Sequence, residues 1–458
     1  MGKEVDFSIG YHMKLSVLVP IYNVSKYLHQ CLDSLQAQTV EDMEIICLND
    51  GSTDNCKEII ESYVKRDSRF KLIDKNNTGY GNTLNVGLAA AEGDYVGIVE
   101  SDDSIDANMM QDLLAIIEKT KVDVIKSDYK YANIDSSLDN VVSGNLKGLP
   151  VNVTINPHDE EKIFLVGQSL WSALYRRDFL LKNNIKFHET PGASFQDVSF
   201  AFMVMANAEQ VYLVDKAFYH YRVSNPNASM KMDNKLDKLC SELDYIKEYI
   251  DSRDDRNLLE VIRSRLAFRV LYENYTWAAP GYQFVMLNEL ERRLRIYDNR
   301  GDFAASIWDD KAVATAREIL EDKNAFYKKT GKKIFDGRLW QGTVNASVYK
   351  EAILSKATSY ENIVLYGAGV VGSKIKDELL NRGVQKSQLA FAVTSKSDNQ
   401  NEKDGIPVKQ IDEFKGSGDN TIFFITVKEE KQYEMLQNMQ RLGIENILFL
   451  SDEVRYSL

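Results

Sequence analysis

Residues 95–103 read YVGIVESDD, an apolar run that ends abruptly in three carboxylates and a serine. A run this apolar and β-branched is the pattern of a strand buried on both faces. Open α/β sheets bind ligands beyond the carboxyl ends of their strands. Glu100, Asp102 and Asp103 on one short loop repel each other unless a cation lies among them. Mg²⁺ and Mn²⁺ take oxygen ligands, binding through one or two carboxylates plus substrate phosphates. The stretch therefore reads as the strand and loop of a metal–diphosphate site. A solvated acidic turn is the plainer reading of the loop by itself, and the flanking chain decides between them.

Outward from this stretch, strands and helices alternate. Residues 15–21 (LSVLVPI) are a strand, and Ser25 caps a helix carrying Leu28, Cys31, Leu32 and Leu35 at helical spacing. Residues 44–48 (EIICL) are a second strand. The turn at 49–54 ends in Asp54, a cap for a helix with Ile59, Ile60, Tyr63 and Val64 on one face. Residues 70–73 are a short strand and 75–81 a polar loop. A helix carrying Leu84, Leu88 and Ala89 follows, then a helix at 109–117 and another strand at 122–126. Regular alternation of this kind gives a parallel sheet covered on both faces. Four loops then meet at its carboxyl edge: 20–23, 49–54, 76–82 and 100–103. Asp50 suits a base or ribose donor, Glu100 suits ribose hydroxyls, and Asp102 suits the metal. Asp54 reads as helix-cap chemistry.

The motifs VLVPIYN, LNDGSTD and VESDD, in this order and spacing, resemble the family-2 glycosyltransferases with a GT-A fold. The resemblance spans about residues 14–222. It implies inverting transfer of a sugar from a nucleotide diphosphate donor, usually UDP-linked, with Mn²⁺ or Mg²⁺. By that resemblance Pro20 and Tyr22 line the base, Asp50 binds uracil or ribose, and Asn77 is a further nucleotide contact. Glu100, Ser101 and Asp102 occupy the DxD motif, with Glu100 on ribose and Asp102 on the metal. Two departures stand out. The motif begins with Glu100 instead of Asp, and Thr83-Leu84-Asn85 replaces the usual Ala-Arg-Asn, so an arginine for the diphosphate is missing. Lys75 is a candidate substitute.

In the following half, 128–150 reads as a polar surface excursion and 159–167 as a short helix. Residues 170–180 (LWSALYRRDFL) resemble the family's acceptor-side segment, with an amphipathic helix start as the alternative. Where the family carries Glu-Asp at a helix start, this chain has Gln196-Asp197. The resemblance makes Asp197 the general base. Inversion needs one carboxylate on the acceptor hydroxyl and no carboxylate nucleophile. Tyr219-His220-Tyr221-Arg222 resembles an aromatic-Tyr-Arg segment. His220 is a candidate for the metal or diphosphate, though packing is the commoner role of such a histidine, and Arg222 is a candidate for phosphate. The loop 225–229 is a candidate lid.

The domain reading is an added leader at 1–13, a transferase domain at 14–230 and a helical segment at 231–358. Within the transferase domain, 14–127 is the nucleotide-binding half and 128–230 the acceptor half. The last domain, 359–458, is Rossmann-like. The last carries Gly367-Ala368-Gly369-Val370-Val371-Gly372 between a strand and a helix. A dinucleotide site would add an acid about 20 residues on, where this chain has Val393-Thr394-Ser395-Lys396. Oligomerisation or docking is the preferred role of this domain.

The 458 residues exceed one ordinary core. A net charge of −12 argues against a general nucleic-acid binder. Four scattered cysteines suit a reducing compartment, and no apolar run is long enough to cross a membrane. The expectation is a metal-dependent, inverting, cytoplasmic glycosyltransferase of bacterial surface glycan synthesis. Its acceptor is a glycan, polyol-phosphate, lipid-linked or glycoprotein hydroxyl, and a lipid-linked one would place it at the inner face of the membrane. The alternative is a catalytically weak nucleotide-sugar-binding or assembly protein acting through the C-terminal domain.

Overall fold

The computed structural model describes residues 13–132, 141–166, 168–223, 225, 236–278, 282–335, 338–341, 346–395, 401–418 and 420–427, with parts of 431–450. The expected leader, apart from Met13, and the candidate lid, apart from Asn225, lie outside the described residues. The chain forms two compact units, Met1–Ala267 and Phe268–Leu458.

In the first unit, β1 (Leu15–Ile21), β2 (Met43–Asp50), β3 (Phe70–Lys75) and β4 (Tyr95–Ile98) pair in the order β3-β2-β1-β4, all parallel. Every residue of β1, β2 and β4 is buried, which is why these strands read as largely apolar runs. On one face Val17 and Val19 meet Leu28, Leu32 and Leu35 of α1 (Ser25–Gln36). The other face, with Leu18 and Leu48, lies so close to α3 (Tyr80–Ala90) that a Cβ on Gly87 would sit 2.6 Å from Leu48. Ser25 starts α1 without capping it. Its amide donates instead to Asp54 Oδ2 from the loop before α2 (Cys56–Arg66), at 2.9 Å. Asp54 also accepts from the Cys56 amide, so one carboxylate serves two helix starts.

Beyond β4 the expected all-parallel pattern breaks. After β5 (Ser104–Ile105) and α4 (Met109–Thr120) comes β6 (Val124–Ala132), then β7 (Thr154–Ile155) and β8 (Ala173–Arg176). β8 inserts between β4 and β6, antiparallel to both. The reason lies in the opening stretch: Gly97 leaves the space that Leu174 occupies, and a Cβ there would be 2.7 Å from the leucine. The aromatic segment 170–180 is thus a short 3₁₀ turn, then β8, then α5 (Arg177–Lys182). α6 (Gln196–Asn207), β9 (Val211–Arg222), α7 (Leu236–Asp251) and α8 (Arg256–Trp277) follow. β9 pairs with β6, β5 and β7, completing a nine-stranded mixed sheet.

The second unit begins within α8. It contains α9 (Tyr282–Arg300), α10 (Asp310–Glu321) and α11 (Lys323–Thr330). Asp322 separates α10 from α11: it stops one and caps the next, accepting from the Asn324 and Ala325 amides. An antiparallel pair, β10 (Lys332–Phe335) and β11 (Arg338–Gln341), lies where the sequence reading has only helix. After α12 (Ala346–Ala357) come β12 (Asn362–Tyr366), α13 (Val370–Asn381), β13 (Leu389–Val393), β14 (Glu402–Lys403), β15 (Ile406–Gln410), β16 (Thr421–Ile425) and β17 (Ile447–Phe449). They form a sheet in the order β14-β15-β13-β12-β16-β17, parallel except at β14. A Cβ on Gly372 would lie 2.3 Å from the Gly367 carbonyl, so the glycine turn lets α13 pack directly on β12.

Candidate active site

The loops after β1, β2 and β3 are tied into one rim. Asn23 Oδ1 accepts from the Thr53 amide, and the Asn23 amide donates to Ser52. Asp50, at the end of β2, is the hub. Its two oxygens accept from the Thr78 and Gly79 amides at 2.9 and 3.0 Å, and Lys75 closes an ion pair on it. Lys75 also donates to Thr78, so it is committed to shaping the loop, not standing free for a phosphate. Gly51 has φ of 70°, and a Cβ there would meet the Asn77 amide at 2.7 Å, so the two loops lie in contact. Pro20 is buried in β1, while Tyr22 and Asn77 are exposed on the rim.

The acidic loop stands beside this rim, and its three carboxylates are held differently. Glu100 Oε1 accepts from the Tyr80 hydroxyl at 2.6 Å. Asp103 is buried and accepts from the Tyr219 hydroxyl at 2.8 Å and the Arg222 amide at 2.7 Å. Asp102 is half-buried and accepts from Asn225 at 2.7 Å. Arg222 is itself buried: its guanidinium donates to the Asp102 carbonyl and to Gln30, and it lies over the Tyr27 ring. It therefore buttresses the loop from behind. His220 Nε2 lies 2.7 Å from Asp106 Oδ1, which places it on a different carboxylate from Asp102. Ser101 is buried at the bend.

Burial by surrounding protein pushes Glu100 up to about 8, with Asp102 and Asp197 adding to the rise and the Tyr80 hydroxyl opposing it. Burial also lifts Asp103 well above the carboxylate range, reinforced by Asp102. A carboxyl raised above its unfolded value of 4.5 binds its proton more tightly in the folded state, so ionising it costs stability as pH rises towards 8. In metal-free buffer, Glu100→Gln should therefore gain stability relative to wild type between pH 6 and pH 9, by about 1–2 kcal/mol after allowance for partial exposure. Urea unfolding at the two pH values measures it. An equal gap at both would show that Glu100 titrates normally.

Asp197 lies in the first turn of α6, half-buried, with Oδ1 accepting from the Val198 amide. Its charge raises both Glu100 and Tyr80, so base candidate and acidic loop share one electrostatic neighbourhood. Gln196 is buried behind it, accepting from the Ser194 amide and donating to Thr190 and the Gly192 carbonyl. The segment leading to Asp197 lies against the start of α3. The Tyr80 amide donates to Gly192, and Asn85 holds the Phe187 backbone on both sides. Gly81 is in such close contact that a Cβ would stand 2.2 Å from the His188 carbonyl oxygen. Gly81→Ala should cost about 3 kcal/mol, an overpacking against backbone that cannot swing away. A urea midpoint equal to wild type would show that the two segments part freely.

Several participants carry no motif of their own. Tyr80 is one, visible in the sequence only as the residue after Gly79. A wall of rings is another: Trp171 stacks on Tyr219 and Tyr221 at 4.1 and 5.3 Å, and Tyr129 and Tyr131 meet them edge-on. Among the described residues no group of three or more His, Cys, Asp or Glu converges on a common point. A divalent cation held through Asp102 would therefore have to complete its shell with phosphate oxygens and water, which hard ions such as Mg²⁺ and Mn²⁺ accept.

A parallel half-sheet whose carboxyl edge carries a tied loop rim and an acidic loop is the arrangement expected of a GT-A fold. Residues 16–187 match the family model described as glycosyl transferase family 2. That match covers a little over a third of the chain and makes those residues similar to that family. It is 32% identical over 224 residues to the uncharacterized glycosyltransferase EpsJ of Bacillus subtilis (strain 168), covering 48% of this chain and 64% of that one. It thus spans a little under two thirds of that relative. It is 30% identical over 215 residues to the poly(ribitol-phosphate) beta-N-acetylglucosaminyltransferase TarS of Staphylococcus aureus (strain MW2), covering 45% of this chain and 35% of TarS. A crystal structure of S. aureus TarS 1-349 in complex with UDP-GlcNAc superposes with a TM-score of 0.53 at 22% identity, over 73% of this chain and 97% of that one. That likeness establishes the shared fold.

Proposed function

We propose that the first unit transfers a sugar, with inversion, from a UDP-linked donor to an acceptor hydroxyl in bacterial surface glycan synthesis. The observation that carries this reading is that Tyr80 ties the two together: its hydroxyl donates to Glu100 of the acidic loop, and its amide donates to Gly192 in the segment leading to Asp197. A base candidate and a donor-binding loop then serve one reacting centre. UDP-GlcNAc in the TarS complex and the glycan roles in relatives' names support donor and pathway class. In this reading Tyr22, Asn77 and Asp50 hold the nucleoside, Glu100 takes ribose hydroxyls, and Asp102 holds Mn²⁺ or Mg²⁺ with the diphosphate. The cation supplies charge neutralisation for the departing diphosphate. Asp197 removes the acceptor proton as the new bond forms at the anomeric carbon opposite the leaving group.

No helix among the described residues is long and apolar enough to cross a membrane. A cytoplasmic placement, at the inner membrane face if the acceptor is lipid-linked, follows from the same reading, and self-association through the second unit is part of it. UDP release from a panel of UDP-sugars with Mn²⁺, against the same reactions in EDTA, tests the proposal. Metal-dependent release with one donor is expected. Silence with every donor, with UDP still bound, would favour a binding or assembly role instead.

A further inference from the structure

We propose that Glu242 is a positioning residue for Asp197, acting from a helix outside the matched segment; this rests on the transferase reading above. Glu242 lies on α7 and is fully buried. Its carboxylate bridges two elements. Oε2 accepts from the Ser199 hydroxyl, on the turn of α6 that carries Asp197. Oε1 lies 2.9 Å from Nδ1 of His188, whose ring stacks on Tyr245 of the same helix α7 at 4.2 Å. One side chain thus fixes both ends of the span 188–199.

What lies within that span gives the tether its meaning. The His188 carbonyl faces Gly81, Gly192 accepts from the Tyr80 amide, and Gln196 knots the turn just before Asp197. The same Tyr80 holds Glu100. A buried carboxylate with two partners has a single low-energy placement, because releasing either leaves a polar group unpaired away from water. Glu242 therefore sets the distance between the helix start bearing Asp197 and the α3 start bearing Tyr80. Rim and acidic loop, held by Asp50, Tyr219 and Arg222, do not depend on it.

The experiment pairs amide hydrogen exchange with kinetics on the full chain. In Glu242→Ala, exchange in 187–197 should rise at least about tenfold while β1 and β2 keep their protection. Sugar transfer should lose about 30-fold or more in kcat, with KM for the UDP-sugar and the Kd for UDP within about twofold. Glu242→Gln, which can still accept from Ser199 and donate to a neutral His188, should restore most of the protection and the rate. Unchanged exchange in 187–197 would overturn the proposal. So would parallel loss of UDP affinity and kcat, which marks a general loss of fold. If wild type transfers no sugar at all, the transferase reading fails, and the exchange arm still decides whether Glu242 holds the span.

Discussion

Asp197→Asn is expected to lower kcat for sugar transfer by about 10³-fold, within the range for loss of a positioned general base. UDP should bind as in wild type. The substitution is close to isosteric, and an asparagine oxygen can still accept the Val198 amide that Asp197 Oδ1 accepts now. What it removes is proton affinity. With no carboxylate to take its proton, the acceptor attacks as a neutral hydroxyl, a poorer nucleophile at the anomeric carbon, and the loss falls on the chemical step. A fall in kcat with KM for the UDP-sugar unchanged is the signature. If the variant keeps kcat within about tenfold of wild type, the proton goes elsewhere and Asp197 is an ordinary helix-start acid.

Asp102→Ala should abolish the metal-dependent part of UDP binding, weakening affinity in Mn²⁺ by about 100-fold or more and leaving the affinity in EDTA unchanged. The neighbouring acids are poor replacements. Asp103 is buried under the Tyr219 hydroxyl and the Arg222 amide, and Glu100 is engaged by Tyr80. Calorimetric titration of UDP with and without Mn²⁺ reads the difference. Equal affinities of variant and wild type in Mn²⁺ would remove Asp102 from the metal role.

The nucleotide-binding half was legible because its physics is local. LSVLVPI, EIICL and YVGIV are runs that only two-sided burial explains, and β1, β2 and β4 are buried throughout. The insertion of β8 was not legible, because pairing between strands as far apart in the chain as Gly97 and Leu174 leaves no periodic trace. Its one clue is Gly97, which reads as a generic strand glycine until Leu174 is seen in its space. The acids of the loop look alike in sequence and differ through partners distant in the chain: Tyr80 for Glu100, Tyr219 for Asp103, Asn225 for Asp102. Arg222 looks like a phosphate ligand by residue type, yet its guanidinium braces the loop, a role set by burial. Lys75 likewise spends its charge on Asp50. Glu242 carries no motif at all, since a lone glutamate on an amphipathic helix reads as surface until its burial is known.

In the proposed function the nucleotide sugar binds at the carboxyl edge of β1–β4. A crystal structure of the full chain soaked with UDP and Mn²⁺ tests it most directly. The nucleoside is expected between Tyr22, Asp50 and Asn77, with Mn²⁺ joining Asp102 to the diphosphate. UDP seated instead at the Gly367–Gly372 turn of the second unit, with the edge of β1–β4 bare, would contradict it.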